Sequence, residues 1–126
     1  MIALLLQAAS ASPPALPPTD WSALPDLPVM PRRGAFDPSE YVRREVAVGR
    51  CAAPPTAGEV RIVVPVAILL EADGVVRRIV PRAIGCPTVE QFTAGYVFRL
   101  ARRITSAEPM RRPGWYRYVV TYRWAV

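Results

Sequence analysis

The sequence predicts a small α+β domain, in which one long helix packs on one face of an antiparallel sheet of about three strands and a short helix precedes the sheet. Three observations support this prediction. Apolar residues alternate from Val60 to Glu71 before a turn at Asp73-Gly74, an amphipathic segment begins at Thr88, and the alternating run WYRYVVTYRW follows. The order strand, turn, strand, helix, strand offers one sheet face to a single helix.

The N-terminal segment, residues 1–11, is interpreted as an export signal. Ile2 to Leu6 is apolar, and Ala9-Ser10-Ala11 has the small-x-small pattern of a signal-peptidase site, so we expect cleavage near Ala11. The apolar stretch has no basic residue before it and falls far short of the roughly 20 residues that span a bilayer, so no membrane anchor is expected. A start codon placed too late would explain both features. The alternative is an apolar tail on a cytoplasmic protein.

Residues 12–38 are predicted to form an extended proline-rich linker. They hold eight of the fifteen prolines, and proline removes backbone donors and fixes φ, which excludes a helix or a central strand. The folded domain is expected to span residues 39–126. The apolar linker residues that are candidates for docking onto it are Trp21, Leu24, Leu27 and Val29.

A short helix is predicted after Asp37, with Asp37 or Ser39 as its cap and Glu40 near its positive end. Its inward-facing residues are expected to be Tyr41, Val42, Val46 and Val48. Cys51 follows this helix and is predicted to form a disulfide with Cys86. A core of roughly 70–85 residues is marginal, and closing this loop would stabilise it by roughly 3–4 kcal/mol. Two free thiols are the alternative.

The first strand places its even-numbered residues, Val60 to Leu70, on one apolar face. Pro65 cannot donate to a ladder, which indicates an edge position or a bulge. Asp73-Gly74 is expected to form a primed hairpin turn. In the return strand, Val76 and Val80 are expected on one face, with Val75 and Ile79 on the other.

The long helix is predicted to begin with a capping box formed by Thr88 and Gln91. Its apolar face is expected to consist of Val89, Phe92, Tyr96, Val97, Leu100 and Ile104. Phe98 points away from that face, either into solvent or toward the N-terminal segments.

In the last strand, Tyr116, Tyr118, Val120, Tyr122 and Trp124 alternate with Arg117, Val119, Thr121 and Arg123. The aromatic side is predicted to be core beneath the helix. The alternative is a platform on which nucleic-acid bases stack.

The net charge is +6 and all sixteen basic residues are arginine. They occur mainly as dispersed pairs, which is typical of a solvated surface, although a basic domain can favour anionic partners. Histidine, a C-x-x-C motif and a zinc ligand set are absent from the sequence. We therefore expect no catalytic residues, no cofactor and no metal site, and we predict a protein that is not an enzyme.

From Tyr41 to Trp124 the pattern resembles the C-terminal domain of the TonB energy-transducer family. The segments concerned are GEVRIVVPVAILLEADGVVRRIVPRAIGCPTVEQF and GWYRYVVTYRW. Asp73-Gly74 matches the hairpin turn, Ile84-Gly85 the glycine-containing segment, and Thr88 to Ile104 the helix of the family.

The resemblance implies a periplasmic protein of a Gram-negative cell, whose domain adds an extended segment of an outer-membrane receptor or another envelope protein to its sheet edge. The terminal strand would be that edge, with Arg117, Val119, Thr121 and Arg123 beside the captured segment. The chain departs from the family in lacking a spanning helix and a long spacer, and in its cysteine pair. Pairing of two copies through this strand is also open.

Two other functions remain as alternatives. One is a small secreted basic domain, stapled by its disulfide, that acts at the anionic surface of the cell envelope. The other is a cytoplasmic α+β domain that binds nucleic acid, although nucleic acid is not the expected partner.

Overall fold

The computed structural model describes residues 16–27, 37–107 and 112–126, with the backbone alone described at 103–107. In chain order the elements are α1 (Ser39–Ala47), β1 (Glu59–Leu70), β2 (Val76–Pro81), α2 (Pro87–Ala107) and β3 (Gly114–Ala125). The strands form one antiparallel sheet in the order β2-β1-β3. The predicted α+β fold is confirmed. Ile104 and Val29 lie outside the described side chains.

Both helices cover the same face of the sheet, α2 mainly over β2 and α1 over β3. The even-numbered residues of β1 and β3 point into this core, as the period-two pattern predicts. Its fully buried members include Val64, Val66, Ile68, Leu70 and Tyr122. The aromatic side of β3 is therefore core and not an exposed platform. Phe98 is exposed, as one of its two predicted placements requires.

Pro65 lies in the central strand, yet its missing N–H leaves no gap in the ladder. β2 pairs only with Val66–Leu70, so the first half of β1 has a neighbour on one side only. The Pro65 carbonyl points to the side of β2 and accepts the Arg82 N–H at 2.8 Å. The residue is thus at a local edge, one of the two predicted settings.

The hairpin turn differs from the expected primed type. Gly74 has φ +80°, but Asp73 does not have positive φ, which excludes a type I′ turn. The Gly74 N–H donates to the Glu71 carbonyl at 2.9 Å and the Glu71 N–H donates to Val75 at 3.0 Å. This arrangement is the three-residue loop in which a type I turn ends in a left-handed glycine.

A register shift beside this turn changes the predicted faces of β2. Leu69 pairs with Arg78 but Leu70 pairs with Val76, so one extra residue is accommodated between them. Val76 and Ile79 consequently both pack against the main core, and Val80 points to the opposite face. The expectation that Val76 and Val80 share a face was wrong because a bulge reverses the alternation.

α1 ends in a Schellman motif centred on Gly49, whose φ is +81°. The Arg50 N–H donates to the Glu45 carbonyl at 3.0 Å and the Gly49 N–H donates to Val46 at 3.1 Å. At the other end the Asp37 carboxylate accepts the Ser39 N–H at 2.9 Å. Val42 is fully buried as expected, whereas Val48 is exposed.

The start of α2 is capped differently from the prediction. The Glu90 carboxylate, and not Gln91, accepts backbone N–H groups, those of Ile84 at 3.1 Å and Cys86 at 3.0 Å. The Thr88 hydroxyl donates to Glu45 of α1 at 3.1 Å. The predicted capping box was therefore wrong, because Thr88 is used between the helices instead of within one.

Candidate functional site

The four residues predicted to bind a partner lie on β3, which is an edge strand. Arg117, Val119, Thr121 and Arg123 are its odd-numbered residues, on the face opposite the helices. Backbone groups of a strand alternate in direction, so all four residues direct their N–H and C=O to the same side. The backbone N–H and C=O of Arg117 form hydrogen bonds with Pro25 and Leu27 and not with β1. The side to which these groups point is therefore the outer edge of the sheet.

A segment of the proline-rich region is added to this edge at Arg117. The Arg117 N–H donates to the Pro25 carbonyl and the Leu27 N–H donates to the Arg117 carbonyl, both at 2.9 Å. Asp26 is thereby bridged to Arg117 in a parallel arrangement, and its carboxylate accepts the Arg117 Nε–H at 2.8 Å. The Leu27 side chain, 1% exposed, enters the main core.

The same segment covers part of the outer sheet face, which is the face opposite the helices. Trp21 and Leu24 pack against a small cluster made by Ala67, Leu69 and Trp115. The Arg82 guanidinium lies 4.1 Å above the centre of the Trp21 ring, an arrangement in which the ring face attracts the cation. Three of the four apolar residues that we considered candidates for docking thus contact the domain.

A polar turn shapes the start of this docked segment. Asp20 accepts the Ser22 N–H at 2.9 Å and the Ser22 hydroxyl at 2.7 Å. These hydrogen bonds to the Ser22 side chain and backbone hold the pKa of the Asp20 carboxyl below its usual value. The charged form of Asp20 is therefore favoured in the turn that orients Trp21.

Beyond Arg117 the described part of the chain leaves the edge of β3 open. The described residues form no backbone bond to the outward groups of Val119, Thr121 or Arg123. The pairing of the added segment with β3 ends at Arg117, because no backbone hydrogen bond joins the Val119 N–H to Leu27. Val119 is 48% exposed, and Thr121 and Arg123 are exposed as well. We name the stretch from Val119 to Arg123 the open edge.

The sheet face beside the open edge is basic and partly apolar. Arg61 of β1 stands directly opposite Arg123, and Val63 stands opposite Thr121. Val63 is 40% exposed. This part of the outer face is next to the part covered by Trp21 and Leu24. It exposes two guanidinium groups, of Arg61 and Arg123, and two valine side chains, of Val63 and Val119.

A second notable region joins the two helices. The disulfide between Cys51 and Cys86 is present, which confirms that prediction, and both cysteines are buried. Next to it the Glu45 carboxylate, 5% exposed, accepts Arg50 Nη1–H at 3.0 Å and the Thr88 hydroxyl at 3.1 Å. Tyr41 of the same helix also hydrogen-bonds to this carboxylate, so its described partners hold α1, the loop after it and α2 together.

Sequence reasoning missed Glu45, because a glutamate on a short helix is usually solvated. The sequence feature that could have indicated the burial of Glu45 is Gly49. A glycine in the left-handed conformation reverses the chain direction after α1 and places Arg50 against the last turn of that helix. Within the described ranges no group of three or more histidine, cysteine or acidic side chains is placed to hold a metal ion. No helix of that part is long and apolar enough to cross a membrane.

Comparisons with family models, with curated proteins and with solved structures find no match to this chain. The features of the described structure that bear on function are the open edge, the segment docked beside it and the basic face that adjoins it.

Proposed function

We propose that this chain is a TonB-like interaction module of the periplasm, which binds an extended segment of an outer-membrane receptor or another envelope protein at the open edge of β3. The observation that supports it is strand addition at Arg117, where Pro25 and Leu27 already bond to this edge. An edge that accepts a strand of its own chain has the geometry required to accept one from a partner.

The open edge supplies the affinity and the adjoining side chains supply the selectivity. The outward N–H and C=O groups of Val119, Thr121 and Arg123 can form up to six ladder bonds with an added strand. The exposed Val119 side chain offers an apolar contact on the same face. Burial of the aromatic side of β3 leaves backbone and basic residues, and not stacked rings, as the binding groups.

The periplasmic location is supported by the disulfide, since such bonds persist in oxidising compartments. The secreted basic domain is the second candidate, favoured by the juxtaposed Arg61 and Arg123. It would bind anionic lipid vesicles through charge alone. Edge binding, by contrast, depends on backbone N–H groups and therefore responds to proline.

The test is a titration of the protein with synthetic peptides from the N-terminal segments of outer-membrane receptors, followed by NMR. We expect the amides of Val119, Thr121 and Arg123 to shift and to exchange more slowly with solvent. The Thr121→Pro variant removes an outward N–H without touching the bonds to β1, and it should weaken binding at least threefold.

The matched control is Thr121→Val, which keeps the N–H, fits a strand and should bind like the parent protein. Folding of both variants is checked by thermal unfolding. The proposal is overturned if no peptide shifts these amides at millimolar concentration, or if Thr121→Pro binds as well as Thr121→Val.

A further inference from the structure

Arg61 and Arg123 form an unfavourable pair in the sheet. They stand directly opposite each other, in a pair without mutual backbone bonds, which brings Cα atoms to about 4.5 Å. Like charges in this position destabilise a sheet. Both side chains are exposed, and no carboxylate among the described residues forms an ion pair with either.

The same strand shows how an outward arginine is satisfied by an added segment. Asp26 is bridged to Arg117, and its carboxylate accepts the Arg117 Nε–H at 2.8 Å. Arg123 lies six positions further along β3 and repeats the orientation of Arg117, since orientation in a strand recurs every second residue. Repulsion from Arg61 favours conformers in which the Arg123 guanidinium turns toward the open edge.

We propose that the open edge selects an extended peptide that carries Asp or Glu at the position facing Arg123. This inference rests on the proposed function and specifies the chemistry of the partner. A carboxylate there would relieve the repulsion between Arg61 and Arg123 and would repeat the pair that Asp26 makes with Arg117.

Charge favours this occupant over the alternatives within reach. A second copy of β3, paired antiparallel about Thr121, would add its own Arg61 and Arg123 to the same basic face. The chain segment that follows Leu27, residues 28–36, contains two arginines and no acidic residue. An acidic strand from another protein is the occupant that neutralises the face.

The experiment compares three peptides that differ at one position: acetyl-Thr-Val-Thr-Glu-Thr-Val-Thr-amide and its Gln and Lys counterparts. Each is titrated into the full chain at low ionic strength, with the amides of Val119, Thr121 and Arg123 as reporters. We expect the Glu peptide to bind about threefold to fivefold tighter than the Gln peptide, and the Lys peptide to be weakest. The preference should shrink in 0.5 M salt, because these charges are exposed.

Substitution of Arg123 tests the assignment of the pair. Arg123→Gln should bring the ratio of Glu-peptide to Gln-peptide affinity to about one, and Arg123→Glu should reverse the preference in favour of Lys. The matched control is Arg99→Gln on the exposed surface of α2, which alters net charge equally and should preserve the preference.

The outcomes separate this inference from the function on which it rests. Equal binding of the Glu and Gln peptides, with Thr121→Pro still weakening both, overturns the acidic selectivity alone. A preference that persists in Arg123→Gln also overturns it. Absence of binding by all three peptides, or self-association of the chain through β3 at the concentrations used, overturns both proposals.

Discussion

The Thr93 hydroxyl and the Tyr122 phenol lie 2.7 Å apart in the centre of the core, where both side chains are fully buried. Thr93 Oγ1 is also 2.7 Å from the Val89 carbonyl. A hydroxyl has one proton, and the carbonyl can only accept, so the phenol donates to Thr93 and Thr93 donates to Val89. This relay joins α2 to the strand that carries the open edge.

The first prediction concerns this relay. Tyr122→Phe removes the phenolic hydroxyl and keeps the ring. The Thr93 hydroxyl stays bonded to the Val89 carbonyl, so no buried donor loses its partner. We expect the free energy of unfolding to fall by about 1 kcal/mol. Thr93→Val should cost more, about 1–3 kcal/mol, because it leaves the Tyr122 phenol buried without an acceptor. Urea unfolding followed by circular dichroism measures both.

Tyr118→Phe is the control for these variants, since Tyr118 is only half-buried. We expect its stability to lie within about 0.5 kcal/mol of the parent protein. If Tyr122→Phe were as harmless as Tyr118→Phe, the Tyr122 phenol would contribute nothing through its bond to Thr93.

The second prediction concerns pH. Burial raises the pKa of Tyr122 to about 12, above the value near 10 of an unfolded tyrosine. Between these pH values the unfolded chain loses the tyrosine proton and the folded chain keeps it. The contribution of Tyr122 to the free energy of unfolding is therefore fully present below about pH 10 and is lost as the pH rises toward 12. This loss amounts to about 2 kcal/mol.

Burial also raises the pKa of Tyr41 and Tyr118, so the measurement must be a difference. Urea unfolding of the parent protein and of Tyr122→Phe at pH 9.5 and 11.5 provides it. We expect the parent to lose more stability than the variant over this interval. Equal losses in both proteins would show that Tyr122 does not contribute to the alkaline transition.

The third prediction concerns the buried carboxylate of Glu45. Glu45→Gln keeps an acceptor for the Thr88 hydroxyl but loses the charge that pairs with Arg50, and it should cost about 1 kcal/mol. Glu45→Ala leaves Arg50, Thr88 and Tyr41 without this partner and should cost about 2–3 kcal/mol. The exposed Glu40 of the same helix provides the control, as Glu40→Gln should change stability by only a few tenths. If Glu45→Ala were as stable as Glu40→Gln, the contacts of the Glu45 carboxylate would not contribute to the stability of the fold.

The fourth prediction concerns the docked proline-rich segment. Leu27→Ala should destabilise the domain by about 2–4 kcal/mol because the side chain fills the core. It should also speed solvent exchange of the Arg117 amide, which is bonded to Pro25. Leu16→Ala, at a residue 68% exposed, is the control. Unchanged stability and exchange in Leu27→Ala would show that the segment contributes nothing to the fold.

The fifth prediction concerns the disulfide. Replacing Cys51 and Cys86 together by alanine should lower stability by roughly 3–4 kcal/mol, as expected for a loop of this length. A thiol reductant should produce a comparable loss in the parent protein and none in the double variant, which separates loss of the bond from loss of packing. A parent protein whose urea midpoint is unaffected by full reduction would rule out this contribution.

The sequence was sufficient where local periodicity decides the outcome. Alternation in β3 placed the aromatic residues in the core and Arg117, Val119, Thr121 and Arg123 on the opposite face, because side-chain direction in a strand depends only on position. The faces of β3 are properties of one strand and need no knowledge of its neighbours. For Pro65 the missing N–H left an edge position or a bulge open, and the extent of β2 decides between them.

The remainder depends on contacts between distant segments. The bulge that turns Val76 inward arises from pairing with Leu70, and the burial of Glu45 depends on Thr88, which is 43 positions away. The added strand at Arg117 escaped prediction because prolines usually exclude a ladder. The added strand forms because its two hydrogen bonds with Arg117 need only one carbonyl and one N–H from the segment. Pro25 supplies the carbonyl and Leu27 supplies the N–H.

Pro65 helps to close the side of β1 that β2 leaves uncovered. On the β1 side, Thr56 already bonds both backbone groups of Glu59, and Pro65 has no N–H and gives its carbonyl to Arg82. Only Arg61 and Val63 remain between these closed positions, too few for a stable strand. On the β3 side, the described residues leave the edge open from Val119 to Arg123. The uncovered half of β1 is thus a shorter free edge than β3, and under the proposed function a partner strand would pair with β3 and not beside Pro65.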